Sequence, residues 1–385
     1  MAASQRSVPV DGDAAEYAAI AKNLVSGNGF TLKPGVPTAS RPPIYPAFLT
    51  LFARGASDSW PAARFAQAFV DTGTIWLVYA FGLLTFRQET YAWTGALLYA
   101  LHPVFVGYSV QILTEPVFLP VWLATVCLWL KSLESDSLGW AAAAGLATGL
   151  AILCRPNFIF FPPGAAAMIA VIHRGGARHL LRLAVVLALA YASLLPWSIR
   201  NHRVMGAWIP VATMGGPAFW CGAQPSPPDV QSLLNALSVG KSEVEVDAEF
   251  YRMAKEDYRK NWRAVALAIP RRFAGFWLSS HSALFGVTES VSVYRAQGRW
   301  VPILVRLALL ALQAAVLGLG VWGVWSQRRD WNPGCTLTIA ALGYYSLHLL
   351  TGYWTSRYHL PALALLSAFS GATLARLAQG SPRHA

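Results

Sequence analysis

Long apolar runs separated by short polar segments dominate this chain. Runs of about the length a bilayer requires fall near 62–85, 91–110, 116–131, 139–154, 157–173, 181–197, 302–325, 334–352 and 359–377. They predict nine membrane helices, which puts the two ends of the chain on opposite sides. The run at 139–154 is short and rich in Ala and Gly, as in a helix packed closely by its neighbours. Between 198 and 301 the apolar runs stop. A Gly/Pro-rich segment at 215–228 gives way to a helical pattern near 242–262. There Glu243, Glu245, Asp247, Glu249, Glu256 and Asp257 stand against Lys255, Arg259 and Lys260, which predicts a solvated amphipathic helix. Arg271, Arg272 and Phe273, running on to Trp277, combine basic and aromatic side chains suited to a membrane interface. The first 60 residues read differently again. An acidic cluster of Asp11, Asp13 and Glu16 precedes a short amphipathic helix and a Gly/Pro-rich loop that ends in Arg41-Pro42-Pro43-Ile44-Tyr45-Pro46.

Composition fits an all-α polytopic membrane protein. Of the 385 residues 55% are hydrophobic and only 12% charged, against about 25% charged in a soluble domain. The net charge of +12 does not imply nucleic acid, because the basic residues mark loop ends between apolar runs and form no stripe. Cys127, Cys154, Cys221 and Cys335 are scattered without a CxxC pair, and three lie in or beside apolar runs, which predicts buried free thiols. No internal repeat or low-complexity linker interrupts the pattern.

Short-loop charges set the expected orientation. One set of connections holds Arg87, Lys131, Arg174, Arg178, Arg182, Arg328, Arg329, Arg376 and Arg383, whereas the opposite set holds only Arg155 and Arg357. The positive-inside rule makes the first set and the C-terminus cytoplasmic. Residues 1–60 and the long loop at 198–301 then face outward, and residues 302–385 form a final group of three helices. No apolar segment precedes residues 1–60 to carry them across, so a first transmembrane helix is expected to be missing from the chain; the alternative is a tail that translocates unaided.

Several polar residues at the outward end could carry chemistry. Asp13-Ala14-Ala15-Glu16 has the spacing of a helix capping box, and a carboxylate held there could equally take a proton from an attacking hydroxyl. Glu115, after Thr114 and before Pro116, suits a helix N-terminus, yet an acidic residue at membrane depth is also a functional candidate. Arg357, Arg200 with His202, and Arg155 each fit interfacial snorkelling as well as a clamp on phosphate. Several arginines on one face, opposite a carboxylate pair, suggest an anionic lipid-linked substrate. The residues alone reach a polar site above a helical bundle, and no reaction.

The motifs together resemble the polytopic GT-C glycosyltransferases of the protein O-mannosyltransferase and lipid A aminoarabinose-transferase type. The resemblance rests on Asp13, Tyr17, Ile20-Ala21, Gly27-Asn28-Gly29-Phe30 and Arg41 to Pro46, and on Thr114-Glu115-Pro116. It continues through Gly145 to Pro156, Pro196 to Asn201, and Arg357 to Pro361. It implies a GT-C-like helical bundle acting as one domain over residues 1–385. It also implies an inverting transfer of sugar from a polyprenyl-phosphate donor to a glycan, lipid or protein hydroxyl on the extracytoplasmic face of a bacterial plasma membrane. By this resemblance Asp13 is the catalytic base and Glu115 the second carboxylate. Glu16, Tyr17, Arg41, Tyr45, Arg155, Arg200, His202, Arg357 and Tyr358 contact substrates, with Arg357 and then Arg200 on the phosphate. No metal ligand is assigned, a divalent ion is left open, and Ser40-Arg41 stands where the aminoarabinose branch has a Glu before its Pro-Pro. A transporter or flippase of a lipid-linked substrate, and an inactive truncated family member, are the competing readings.

Overall fold

A computed structural model describes residues 10–135, 137–226, 229–351 and 355–380. Trp354, Arg383, Pro227 and Pro228 lie outside the described residues. The chain opens with helix α1 (Gly12–Val25), a hairpin of β1 (Thr31–Lys33) and β2 (Val36–Pro37), and a short apolar helix α2 (Ile44–Ala53). The bundle continues through α3 (Pro61–Phe86), α4 (Glu89–Leu101), α5 (Pro103–Tyr108), α6 (Glu115–Glu134), α7 (Leu138–Cys154), α8 (Phe161–His173) and α9 (Ala177–Ala192). Helix α10 (Leu195–Met205) follows α9 so closely that the two form a 29-residue apolar span. Helices α11 (Gly215–Ala223), α12 (Val230–Leu237), α13 (Glu243–Trp277) and α14 (Val291–Ala296) fill the long connection. Helices α15 (Trp300–Ser326), α16 (Pro333–Thr351) and α17 (Leu360–Ala378) complete the bundle.

Among the described residues all nine apolar runs are mainly helical. Six spans among the described residues are long and apolar enough to cross a membrane: those built on α3, α6, α8, α9 with α10, α15 and α17. Helix α7 is shorter, and the run at 91–110 is broken into α4 and α5. Pro103 explains the break, because it donates no backbone hydrogen bond and pushes His102 before it out of the helical region. His102 instead caps α5, accepting from the Val104 N–H at 3.4 Å.

Helix α17 is the axis of the bundle. It is buried over most of its length and packs on α3, α4, α6, α15 and α16. Without a hydrophobic drive between helices in lipid, close backbone approach holds such crossings together. Gly95 of α4 meets Gly371 of α17 so closely that a methyl on Gly371 would come within 2.2 Å of the Gly95 nitrogen. Gly371→Ala is therefore expected to cost about 1–3 kcal/mol by forcing backbones apart. Gly343→Ala, where nothing lies near the added methyl, should leave the melting temperature of the detergent-solubilised protein unchanged or higher. Helix α7 packs in the same way on α9, Gly145 on Val186 and Gly149 on Ser193, and lies against α6 on another side; Leu146 and Leu150 point outward.

The connection at 198–301 is helical where the pattern near 242–262 placed a helix, and α13 runs on to Trp277. Ser242 and Glu245 form a reciprocal capping box at its start. A small apolar core of Trp220, Cys221, Val246, Phe250 and Ala254 joins α11 to α13. The expected interfacial stretch at Arg271–Trp277 differs. Arg272 is fully buried and donates to the carbonyls of Gly222 at 2.9 Å, Leu349 at 3.2 Å and Gln224. Phe276 and Trp277 are buried beside it, while Arg271 and Phe273 stay exposed. Chain carbonyls left open at the end of α11 and within α16 draw the guanidinium inward. All four cysteines are buried and free.

Candidate active site

Helix α1 begins at Asp11, which caps it without a side-chain hydrogen bond, so the expected capping box at Asp13 and Glu16 does not form. Both carboxylates turn to Arg41 instead. Its Nη2 donates to Asp13 Oδ1 at 2.6 Å and its Nε to Glu16 Oε2 at 2.8 Å. The guanidinium sits 5.3 Å from the centre of the Tyr17 ring, and Tyr17 packs edge-on against Tyr45. The other Asp13 oxygen accepts from Arg357 Nη2. Asp13 thus carries a guanidinium on each oxygen. Burial alone would raise its carboxyl, but Arg41 and Arg357 outweigh burial and hold it at about 2.

A second, deeper pair lies behind the first. Glu115, in the opening turn of α6, is 1% exposed and accepts from Arg155 Nη2 at 3.1 Å. Arg155, 5% exposed, follows the last turn of α7 and lies over the Tyr358 ring, 4.7 Å from its centre. Arg357 Nε stands 3.7 Å from Glu115 Oε1, so this one arginine bridges the two carboxylates. Three arginines therefore face three carboxylates, and the cluster is charge-balanced. Glu115 Oε2 and Arg155 Nη1 have no hydrogen-bond partner among the described residues.

These groups form the polar end of a cavity of about 660 Å³. Asp13, Tyr17, Arg41, Arg155, Arg357 and Tyr358 line that end, and Ile159, Phe160, Phe219 and Leu347 line an apolar wall. Asn157 and His348 also line the cavity, and the sequence reading overlooked both. No spacing marks them, since Asn157 follows a helix break and His348 lies within an apolar run.

Three expected site residues stand elsewhere. Tyr45 is fully buried and donates to Gln67 Oε1 at 2.9 Å, supporting Tyr17 from behind. Arg200 donates to the carbonyls of Thr38 at 2.6 Å and Phe30 at 3.0 Å between the Phe30 and Trp197 rings, so it clamps the β1–β2 hairpin. His202 is exposed and stacks on Trp208. Neither Arg200 nor His202 lines the cavity.

Glu243, read from the sequence as part of a solvated face, joins two walls of the cavity. It accepts from the Ala39 N–H at 3.0 Å, from the Thr38 hydroxyl at 2.7 Å and from the Thr213 hydroxyl. One turn on, Asp247 accepts from the Gly216 N–H at 2.7 Å. Burial pushes Asp247 up to about 6 despite that bond, with Glu243 adding to the rise. A raised carboxyl disfavours folding once it ionises, so its cost is absent below about 3.8 and complete above about 6. Asp247→Asn keeps the acceptor without the charge. It should raise the melting temperature above about pH 6, and the gain should vanish below about pH 4.

Among the described residues no three His, Cys, Asp or Glu side chains come together as a metal-ligand set. Both Asp13 oxygens are already occupied by guanidiniums, so the donor set here fits an anion exchanging with those carboxylates better than a cation.

Comparison with known proteins places these residues in context. The family described as dolichyl-phosphate-mannose-protein mannosyltransferase matches residues 40–199, a stretch that contains Arg41, Glu115 and Arg155. None of the curated proteins compared with the chain matches it. The oligosaccharyltransferase of Archaeoglobus fulgidus, solved in complex with Zn and sulfate, superposes with a TM-score of 0.57 at 16% identity, covering 95% of this chain and 45% of that one. The same organism's AglB, solved with an inhibitory peptide and a dolichol-phosphate, gives 0.56 at 14% identity over 95% and 47%. ArnT from Cupriavidus metallidurans in the apo state gives 0.43 at 17% identity over 97% and 74%. The chain thus spans about half the length of the oligosaccharyltransferase, and the shared feature is the polytopic GT-C fold.

Proposed function

We propose that this protein is an inverting glycosyltransferase that moves a sugar from a polyprenyl-phosphate donor to an acceptor hydroxyl on the extracytoplasmic face of the membrane. The observation that carries the reading is the meeting, at one end of an apolar-walled cavity, of a carboxylate base with guanidiniums suited to phosphate. Asp13 takes the acceptor proton as the hydroxyl oxygen attacks the sugar's anomeric carbon from the face opposite the phosphate. Arg357 holds the phosphate, whose charge grows as the C–O bond breaks, and fixed cations there lower the barrier. Glu115 and Arg155 form the buried platform that orients Arg357, and Tyr358 keeps Arg155 in plane. Ile159, Phe160, Phe219 and Leu347 offer an apolar path for the first isoprene units. The polar groups cluster at one end of the bundle, whereas a transporter needs them near its middle. The match to a mannosyltransferase family and the GT-C fold support the reaction class.

The test is transfer itself. Purified protein in sealed lipid vesicles, given labelled polyprenyl-phosphate sugars and mixed membrane acceptors, should release free polyprenyl phosphate in step with label on the acceptor. Label that crosses the membrane still joined to its lipid would instead make the protein a flippase.

A further inference from the structure

The proposed base is held back in this arrangement, since a cation on each oxygen lowers its basicity. An acceptor hydroxyl must place its hydrogen on a carboxylate oxygen, and both oxygens of Asp13 already accept from guanidiniums. Arg41 is braced for that role. It is anchored by Glu16 as well as Asp13, and its loop is tied to α13 through the Glu243 contacts at Thr38 and Ala39. Arg357 is held differently. One of its nitrogens meets Asp13, while its buried Nε faces Glu115 at 3.7 Å and lacks a hydrogen-bond partner among the described residues; the side chain as a whole lines the cavity where an anion would arrive. Both partners of Asp13 line the cavity, and Arg357, whose second carboxylate stands at 3.7 Å where that of Arg41 stands at 2.8 Å, is the one less tightly held and so the one an incoming phosphate can exchange.

Resting on the glycosyltransferase reading, we infer that the donor's phosphate takes Arg357 away from Asp13, so that donor binding itself creates the free base and must precede activation of the acceptor. Charge balance favours such an exchange. The three arginines and three carboxylates leave no spare positive charge, so a phosphodiester monoanion competes with the carboxylates for the guanidiniums. Asp13 is the carboxylate nearer to solvent, since Glu115 is almost fully buried. Asp13 released on one oxygen and still aimed by Arg41 on the other becomes more basic, because one of the two cations that depress it has gone. Tyr17, Glu16, Arg41, Arg357 and Glu115 are the charged and titratable groups that face it. The transfer then balances. The acceptor O–H bond breaks and its proton goes to Asp13; the acceptor oxygen bonds to the anomeric carbon; the bond from that carbon to the phosphate oxygen breaks with its electron pair. Asp13 ends neutral, and the polyprenyl phosphate ends as a dianion on Arg357. Without donor the base stays masked and no acceptor is activated to no purpose.

The inference makes Asp13 a competitor of the phosphate, and that can be read without turnover or knowledge of the acceptor. The probe is polyprenyl phosphate, titrated into the purified full chain. Asp13→Asn removes the competing charge and should tighten binding by about ten-fold, the share of Arg357 recovered from its carboxylate. In an Arg357→Gln background the same change should have no effect. Weaker or unchanged binding in Asp13→Asn would overturn the inference while leaving the reaction class intact. Absence of binding to the unaltered chain would instead count against the glycosyltransferase reading. Should Asp13→Asn not fold, the unaltered protein gives a second readout. Labelling of Asp13 by a water-soluble carbodiimide, followed by peptide mass spectrometry, should rise several-fold on adding polyprenyl phosphate, and labelling that stays flat or falls would overturn the inference.

Discussion

Asp13→Asn is expected to abolish most sugar transfer, lowering kcat by about 10²–10⁴-fold, the range typical for loss of a general base. The change is nearly isosteric and Asn can still accept from one guanidinium, so the loss reports basicity and not collapse of the site. Stability offers an independent check on the same side chain. Asp13 is held at about 2 in the folded chain against an ordinary 3.8. A carboxyl depressed in this way contributes stability that is complete above about 3.8 and disappears as pH falls through about 2. The variant should therefore melt lower than the unaltered protein at neutral pH, and the gap should close as pH falls through that window. A variant that keeps full transfer with the expected melting shift would leave Asp13 a structural ion-pair partner and nothing more.

Breaking the inner ion pair should have the largest effect on folding. Glu115 and Arg155 are almost completely buried, and each neutralises the other within a wall of Phe118 and Tyr358 rings. Removing one partner strands a charge away from water, which costs about 3–5 kcal/mol. Glu115→Gln or Arg155→Gln alone should lower the melting temperature sharply and weaken transfer through a misplaced Arg357. The double variant Glu115→Gln with Arg155→Gln leaves no stranded charge on that pair, so its cost should fall well below the sum of the single ones. Thermal unfolding of the four proteins measures the coupling. An additive cycle would mean that the pair is not a unit.

The bundle was legible along the chain because each helix needs a long apolar run and little else in the sequence can imitate one. The break at His102-Pro103 was legible in principle from the proline. Helix α2 was harder, since its ten residues follow Pro42-Pro43, contain Pro46 and are too few to span. The site divides in the same way. Spacing marked Asp13, Glu16, Glu115 and Arg357 as unusual, yet their pairing depends on contacts between residues distant in the chain, Arg41 with Asp13 and Arg357 with Asp13. A capping box is a local pattern, and the long-range cations outcompete it. Three arginines show the same thing. Arg200, Arg272 and Arg357 look alike in sequence, and what each does follows from which acceptors the fold leaves open: hairpin carbonyls for Arg200, helix-end carbonyls for Arg272, carboxylates for Arg357. Glu243 was hidden among the acidic residues of α13 for a like reason, because its three partners come from the loops at 38–39 and 213.

The measurement that bears most directly on this account is an experimental structure of the protein with polyprenyl phosphate bound. The account predicts the phosphate at the polar end of the cavity, within hydrogen-bond distance of Arg357, with the lipid running along Ile159, Phe160, Phe219 and Leu347. Arg41 should remain on Asp13, and one Asp13 oxygen should face open space for an acceptor. A phosphate bound away from Arg357, or a lipid seated elsewhere with the Asp13 ion pairs intact, would contradict it.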